Sequence, residues 1–133
     1  MNEPEATIEP EATVENPNMT HNAENITPKP WGYEELIYNS PGKYCVKLLV
    51  YNRRGIASSL HYHEKKEETF VITTGEFEIE VNDYQPFRAG QGQYLTLKPG
   101  DRHRVRCIQP GVIVECSTYD DPSDCVRLVP SEQ

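Results

Sequence analysis

The sequence predicts an all-β protein, a sandwich or barrel of short strands. Three observations carry that expectation. From residue 33 onward, runs rich in Val, Ile, Tyr, Phe and Thr alternate apolar with polar residues. Clusters of Gly, Pro, Asn and Asp interrupt these runs every eight to ten residues. No segment spaces its apolar residues as a helix would.

The elements follow in order. Residues 33–39 are extended and stop at Asn39-Ser40-Pro41-Gly42. Residues 44–52 are strongly β-prone and stop at Arg53-Arg54-Gly55. Residues 58–63 come next, and a turn of charged residues, 64–67, returns the chain. Residues 68–74 place Glu68, Phe70 and Ile72 on one face. Residues 76–81 alternate most cleanly, with Phe77, Ile79 and Val81 inward and Glu76, Glu78 and Glu80 outward. Two short runs, 84–88 and 93–97, are separated by Ala89-Gly90-Gln91-Gly92. Residues 103–108 and 112–118 are expected to form a hairpin around Gln109-Pro110-Gly111, and 125–129 is a last strand.

At 133 residues one domain is expected. Residues 1–28 differ in kind. They hold six Glu, no Lys, Arg or aromatic residue, and Pro at 4, 10, 17 and 28. Glu3-Pro4-Glu5-Ala6-Thr7-Ile8 is nearly repeated as Glu9-Pro10-Glu11-Ala12-Thr13-Val14. Such a stretch buries too little apolar surface to offset the entropy of ordering it, so 1–28 is read as a disordered acidic tail and 29–133 as the folded domain. The tail carries six of the eight net negative charges; the domain, with 15 acids against 13 bases, is nearly neutral. That balance argues against a nucleic-acid surface. The first residues lack the basic start and apolar run of a signal peptide, and no stretch is apolar enough to span a membrane. A cytoplasmic protein is expected. Its four cysteines, with no Cys-x-x-Cys spacing, are then reduced and packed.

The chemistry concentrates at His61, His63, Glu68 and His103. Residues two apart on a strand share a face, so the rings of His61 and His63 point the same way, within about 7 Å along the strand. Three neighbouring extended segments could aim these four side chains at one divalent ion. Three imidazoles and a carboxylate suit Mn, Fe, Co, Ni or Zn rather than Ca or Mg.

Gly55, five residues, His61, one, His63, four, Glu68, six, Gly75 resembles the first signature of the cupin superfamily. Gly92, five residues, Lys98, one, Gly100, two, His103 resembles the second. Two positions depart: Lys98 stands where the family usually has Pro, and Cys107 where it usually has Asn. Neither is a ligand in the family pattern. The resemblance implies a small antiparallel jelly-roll barrel and gives the metal-ligand role to His61, His63, Glu68 and His103. Cys107 shares strand parity with His103 and so is expected near the same cavity. Lys29-Pro30-Trp31-Gly32-Tyr33-Glu34 at the start, and Asp124-Cys125-Val126-Arg127-Leu128 at the end, look like the cupin domain of type II mannose-6-phosphate isomerases, a likeness spanning about residues 29–129.

That likeness implies an aldose–ketose isomerase acting on a sugar or sugar phosphate. The metal would polarise the sugar's carbonyl, and a general base would carry a proton between adjacent carbons. Lys47 and Glu115 are the candidates for the base, although a surface lysine and a rim carboxylate are the plainer readings. Lys98, Arg102 and Arg104 crowd the second signature, with Arg106 beside them, and are candidates for binding a phosphate. Arg104 and Arg106 have strand parity opposite to His103. Trp31 and Tyr33 are expected to cover the barrel mouth or a dimer seam. Leu60, Tyr62 and Val71 face away from the metal and point to a second sheet or to the partner in a homodimer. Two other functions fit the same ligands: a non-catalytic module binding a sugar or small acid, and a metal-dependent dioxygenase.

Overall fold

The computed structural model describes Asn18 and residues 25–133. Among the described residues, nine strands form one curled antiparallel sheet: β1 (Ile26–Lys29), β2 (Gly32–Asn39), β3 (Cys45–Tyr51), β4 (Leu60–His63), β5 (Glu68–Val81), β6 (Phe87–Gly90), β7 (Tyr94–Leu97), β8 (His103–Ser117) and β9 (Cys125–Val129). A 3-10 turn, Pro122–Asp124, precedes β9. The all-β expectation holds, and the architecture is a small antiparallel barrel curled around one concave face.

The strand order is β1-β2-β3-β8-β4-β9, with β5 against β8 and carrying β6 and β7. β8 is the spine. It pairs with β3, with β4 through His61 and His103, and with almost the whole of β5.

The expected hairpin at 109–111 does not form. β8 runs straight through it, and its inward residues His103, Val105, Cys107, Ile113, Glu115 and Ser117 keep one parity throughout. The irregularity lies in β5. Its buried residues are Glu68, Phe70 and Ile72 before the break, and Phe77 and Ile79 after it. That change of parity goes with a register shift: from Ile72↔Ile113 to Phe77↔Cys107 β5 advances five residues while β8 advances six. Gly75 sits in this bulge at φ +87°. A Cβ there would lie 2.7 Å from both Gln109 O and the Gly111 Cα, and one on Gly111 would collide with the Thr74 carbonyl. The two long strands bend together where glycine faces glycine. Residues 68–74 and 76–81 are thus one bulged strand.

The remaining boundaries shift by a few residues. β4 starts at Leu60, because Ser58 and Ser59 precede it in a segment tied to β8 through Ser58 N to Val105 O. β6 lies later than 84–88, leaving Tyr84 exposed in the turn before it. β1 pairs with β2 through Ile26, Thr27 and Pro28, so these three residues belong to the sheet. Asn25 before them accepts from Leu36 N, and the rest of the expected tail, Asn18 apart, lies outside the described residues.

The core lies between the curled halves and is built on Phe77, Ile79, Ile72, Ile113, Leu97 and Val105, each 2% exposed or less. Trp31 is buried in it, stacked on Tyr51 at 4.1 Å, and Tyr51 meets Phe77 edge-on at 5.1 Å. Trp31 is therefore a core residue rather than a lid or a seam, while Tyr33 is half-buried. Leu60, Tyr62 and Val71 are also half-buried within the chain itself.

Candidate metal centre

β3 explains how a lysine reaches the interior. Cys45, Leu49 and Tyr51 are buried, and Lys47 shares their parity. Directly across on β8 stands Glu115. The same concave face carries His61 and His63 from β4, Glu68 from β5 and His103 from β8, all opening into a cavity of about 680 Å³.

The four expected ligands converge. One donor atom from each of His61, His63, Glu68 and His103 lies within 4.8 Å of every other. Two donors at about 2.1 Å from a shared ion lie at most about 4.2 Å apart, so a few tenths of an ångström of side-chain movement closes the set. His63, Glu68 and His103 are buried.

Local hydrogen bonds fix which nitrogens face the centre. His103 Nδ1 lies 2.9 Å from Asp101 O, and His61 Nδ1 lies 3.1 Å from Ser59 O and 2.9 Å from its hydroxyl. A carbonyl only accepts, so each Nδ1 carries the proton and each Nε2 presents a lone pair. Burial, then the neighbouring His103 and His63, pushes His61 down to about 3. Burial, then the charge of Lys66, pushes His63 down to about 4. Both rings are neutral near neutral pH, the form that binds a metal.

Among the described residues, three buried side-chain atoms have no hydrogen-bond partner: His63 Nδ1, Glu68 Oε1 and His103 Nε2. The last two lie only 2.9 Å apart, without hydrogen-bond alignment. Two lone-pair atoms that close need positive charge between them, either a proton on the ring or a cation. A set of four converging donors fits the cation. These residues are suited to hold one divalent transition metal.

Beside the centre lies an ionic network. Lys66, in the charged 64–67 turn, is 3% exposed. Its Nζ reaches Asp120 Oδ1 at 2.7 Å, Glu115 Oε2 at 3.1 Å and Glu68 Oε2 at 3.2 Å. The carboxylate of Asp124 holds the turn in place by accepting from Lys65 N at 2.9 Å and Lys66 N at 3.0 Å. Lys47 Nζ reaches Asp120 Oδ2 at 3.0 Å and Glu34 Oε2 at 3.6 Å. Asn39 positions Asp120 by two hydrogen bonds to its backbone. Burial works against the charge on Lys66, but Glu115, Glu68 and Asp120 outweigh it and hold the proton on. Burial also works against Glu68, and His103 and Lys66 outweigh it, keeping that carboxyl ionised. Glu115, raised by burial first and by the charge of Glu68 second, sits at about 7.

Lys47 and Glu115 thus both line the cavity, and Glu115 is 4% exposed at its floor rather than at a rim. The three expected phosphate ligands lie elsewhere. Lys98 is exposed, Arg102 pairs with Asp83 at 3.3 Å, and Arg104 donates to Ser58 O at 2.7 Å and Pro130 O at 3.1 Å. Arg106 pairs with Glu132. Cys107 has the expected parity but is packed in the core beyond the cavity. Sequence reading missed Lys66, Glu34, Asp120 and Arg127 as cavity residues. A signal existed for two of them, since Glu34 and Arg127 lie in the terminal segments that resembled the isomerase domain.

A family model of the cupin domain matches residues 48–116. The chain belongs to the cupin family. In sequence this cupin is 42% identical over 55 residues to protein SchB of Streptomyces halstedii, a match covering 41% of the chain and 38% of that protein. In structure it is similar to KdgF from a Halomonas species, with TM-score 0.66, 15% identity and coverage of 74% of this chain and 89% of that one. It is also similar to the capsular polysaccharide assembling protein CapF of Staphylococcus aureus, with TM-score 0.64, 17% identity and coverage of 79% and 34%. At these identities the structural likenesses show the fold. Among the described residues, no helix is long and apolar enough to cross a membrane.

Proposed function

We propose that this cupin is a metal-dependent aldose–ketose isomerase acting on a sugar phosphate, in the manner of the cupin domain of mannose-6-phosphate isomerases. The observation that carries the reading is Glu115. It lines the cavity beside the four-ligand centre, and burial, ahead of the charge of Glu68, raises its carboxyl toward the range in which it can accept and return a proton. A divalent ion bound by His61, His63, Glu68 and His103 supplies Lewis-acid polarisation of the carbonyl and its neighbouring hydroxyl; Mn, Fe, Co, Ni and Zn all suit the donors. Glu115 takes the proton from the hydroxyl-bearing carbon and returns it to the adjacent one, while the hydroxyl proton passes to the former carbonyl oxygen. Lys66, 3.1 Å from Glu115, keeps the carboxylate oriented and offsets its charge before the first transfer and after the second. Lys47 stands across from Glu115 and anchors Asp120. The buried core behind these groups excludes water from one side of the reacting carbons. A capsular polysaccharide assembling protein among the structural neighbours adds a carbohydrate setting.

The same Lys66–Glu115 contact favours a second reading. A carboxylate held by an ammonium is less free to act as a base, and the domain then binds a sugar or small acid without turning it over. Metal analysis of the purified protein, with hexose phosphates assayed before and after chelation, separates the readings. Isomerisation that disappears on chelation, returns on adding metal and is lost in Glu115→Gln supports the enzyme. Binding with no interconversion supports the module, and oxygen consumption would support the dioxygenase instead. The four thiols are unpaired, in keeping with a cytoplasmic setting, but only Cys45 and Cys107 are packed as expected; Cys125 is half-buried and Cys116 exposed. Exposed Ile26, Ile37 and Tyr44 around the β1–β2 edge support a homodimer, which sedimentation checks.

A further inference from the structure

The ionic network beside the four-ligand centre has a charge imbalance that a divalent ion corrects. Glu34, Glu68, Glu115 and Asp120 face Lys47 and Lys66, leaving a formal excess of two negative charges. A dication on the four ligands cancels it. Two further cations, Lys29 and Arg127, line the same cavity. Among the described residues neither enters an ion pair or donates a side-chain hydrogen bond. They come from β1 and β9, the two ends of the main strand order, which the curl of the sheet brings to one cavity. Arg127 pairs directly with His61 across β4 and β9. Side chains at such positions leave the sheet about 5 Å apart on one face, so the guanidinium is within reach of anything bound at the centre.

We propose that Lys29 and Arg127 form an anion clamp over the cavity, and that the substrate is a polyhydroxylated compound whose acid group lies opposite the oxygens facing the four-ligand centre. The clamp takes over the role expected of Lys98, Arg102 and Arg104. A phosphate ester and a carboxylate present the same oxyanion chemistry to a guanidinium and an ammonium. This inference deepens the isomerase reading and rests on its metal site.

The test is binding, read from Trp31, which lines the cavity and is the chain's one tryptophan. Full-length, metal-loaded protein is titrated with fructose 6-phosphate, fructose and gluconate at low and high salt. The wild type binds the phosphate ester at least about tenfold more tightly than fructose, and salt narrows the gap. Arg127→Gln and Lys29→Gln each weaken ester binding about tenfold and leave fructose binding and metal content unchanged, as expected for loss of one charged hydrogen bond. Arg102→Gln, the control, changes nothing. Gluconate binding as tightly as the ester supports the clamp and identifies a carboxylate as its ligand. The proposal is overturned if neither acid binds, if fructose binds as tightly as both acids, or if the double variant retains wild-type affinity. Clamp-dependent binding of fructose 6-phosphate without turnover keeps the clamp and removes the isomerase reading. Turnover indifferent to the double variant does the reverse.

Discussion

Glu115→Gln is expected to change how the stability of the metal-free protein depends on pH. Glu115 is 4% exposed, and its carboxyl is raised from 4.5 to about 7, by burial first and Glu68 second. Between those values the folded state binds a proton that the unfolded chain has released. The stability contributed by the protonated carboxyl is therefore full below pH 4.5 and falls as pH rises toward 7. The difference between the two values is worth about 3 kcal/mol. His61 and His63 oppose this trend, because their lowered values make stability rise with pH over part of the same range. The informative quantity is the difference between variant and wild type, in which the histidines cancel. Urea unfolding followed by Trp31 fluorescence, at intervals from pH 4.5 to 8, measures it. Relative to wild type, Glu115→Gln gains about 3 kcal/mol across the interval. A pH-independent difference would refute the burial argument, as would one that grows in the opposite direction. Repeating the series with metal bound should shrink the gain, since a dication on Glu68 cancels the second cause.

Three further outcomes follow. His63→Ala is expected to lose stoichiometric metal by elemental analysis, at least about 10–100-fold in affinity, the range seen when even an outer partner of a ligand is removed; retained stoichiometric metal would contradict the ligand set. Phe77→Ala, at a fully buried position against Tyr51, is expected to cost about 3–5 kcal/mol in urea unfolding, and a loss below 1 kcal/mol would mean that the core is not built around it. Asp124→Ala removes the acceptor for Lys65 N and Lys66 N and is expected to cost about 1.5–3 kcal/mol, with faster amide exchange confined to the 64–67 turn.

The fold was readable wherever one face is buried and the period is two. Residues 76–81 alternate, and the structure buries Phe77 and Ile79 as the pattern requires. Failure came at Gly75 and at Gln109-Pro110-Gly111, where turn residues mark a bend shared by two long strands. Glycine and proline report that the backbone departs from ideal extension. Whether it reverses or only bends depends on what lies opposite, and here glycine lies opposite glycine. A partner distant in sequence decides the outcome, and local composition contains no trace of it.

The four converging donors were legible for the reason that Lys66 was not. His61, His63, Glu68 and His103 occupy spacings that strand parity converts directly into a shared face. Lys66 sits in a turn between charged neighbours, where nothing distinguishes it from Lys65 beside it. What separates them is Asp124, 58 residues away from Lys66, whose carboxylate takes both backbone amides and orients the turn. Once Lys66 is turned inward it needs acids. Glu68, Glu115 and Asp120 arrive from three different segments to meet it. A lysine that deep is stable because of that company, whose acids outnumber the buried lysines. The burial of Lys66 and the convergence of the four donors thus meet in one arrangement at Glu68, whose Oε2 faces Lys66 and whose Oε1 faces His103. The ligand spacing in the sequence displays half of it, and the other half becomes visible only when the sheet has curled.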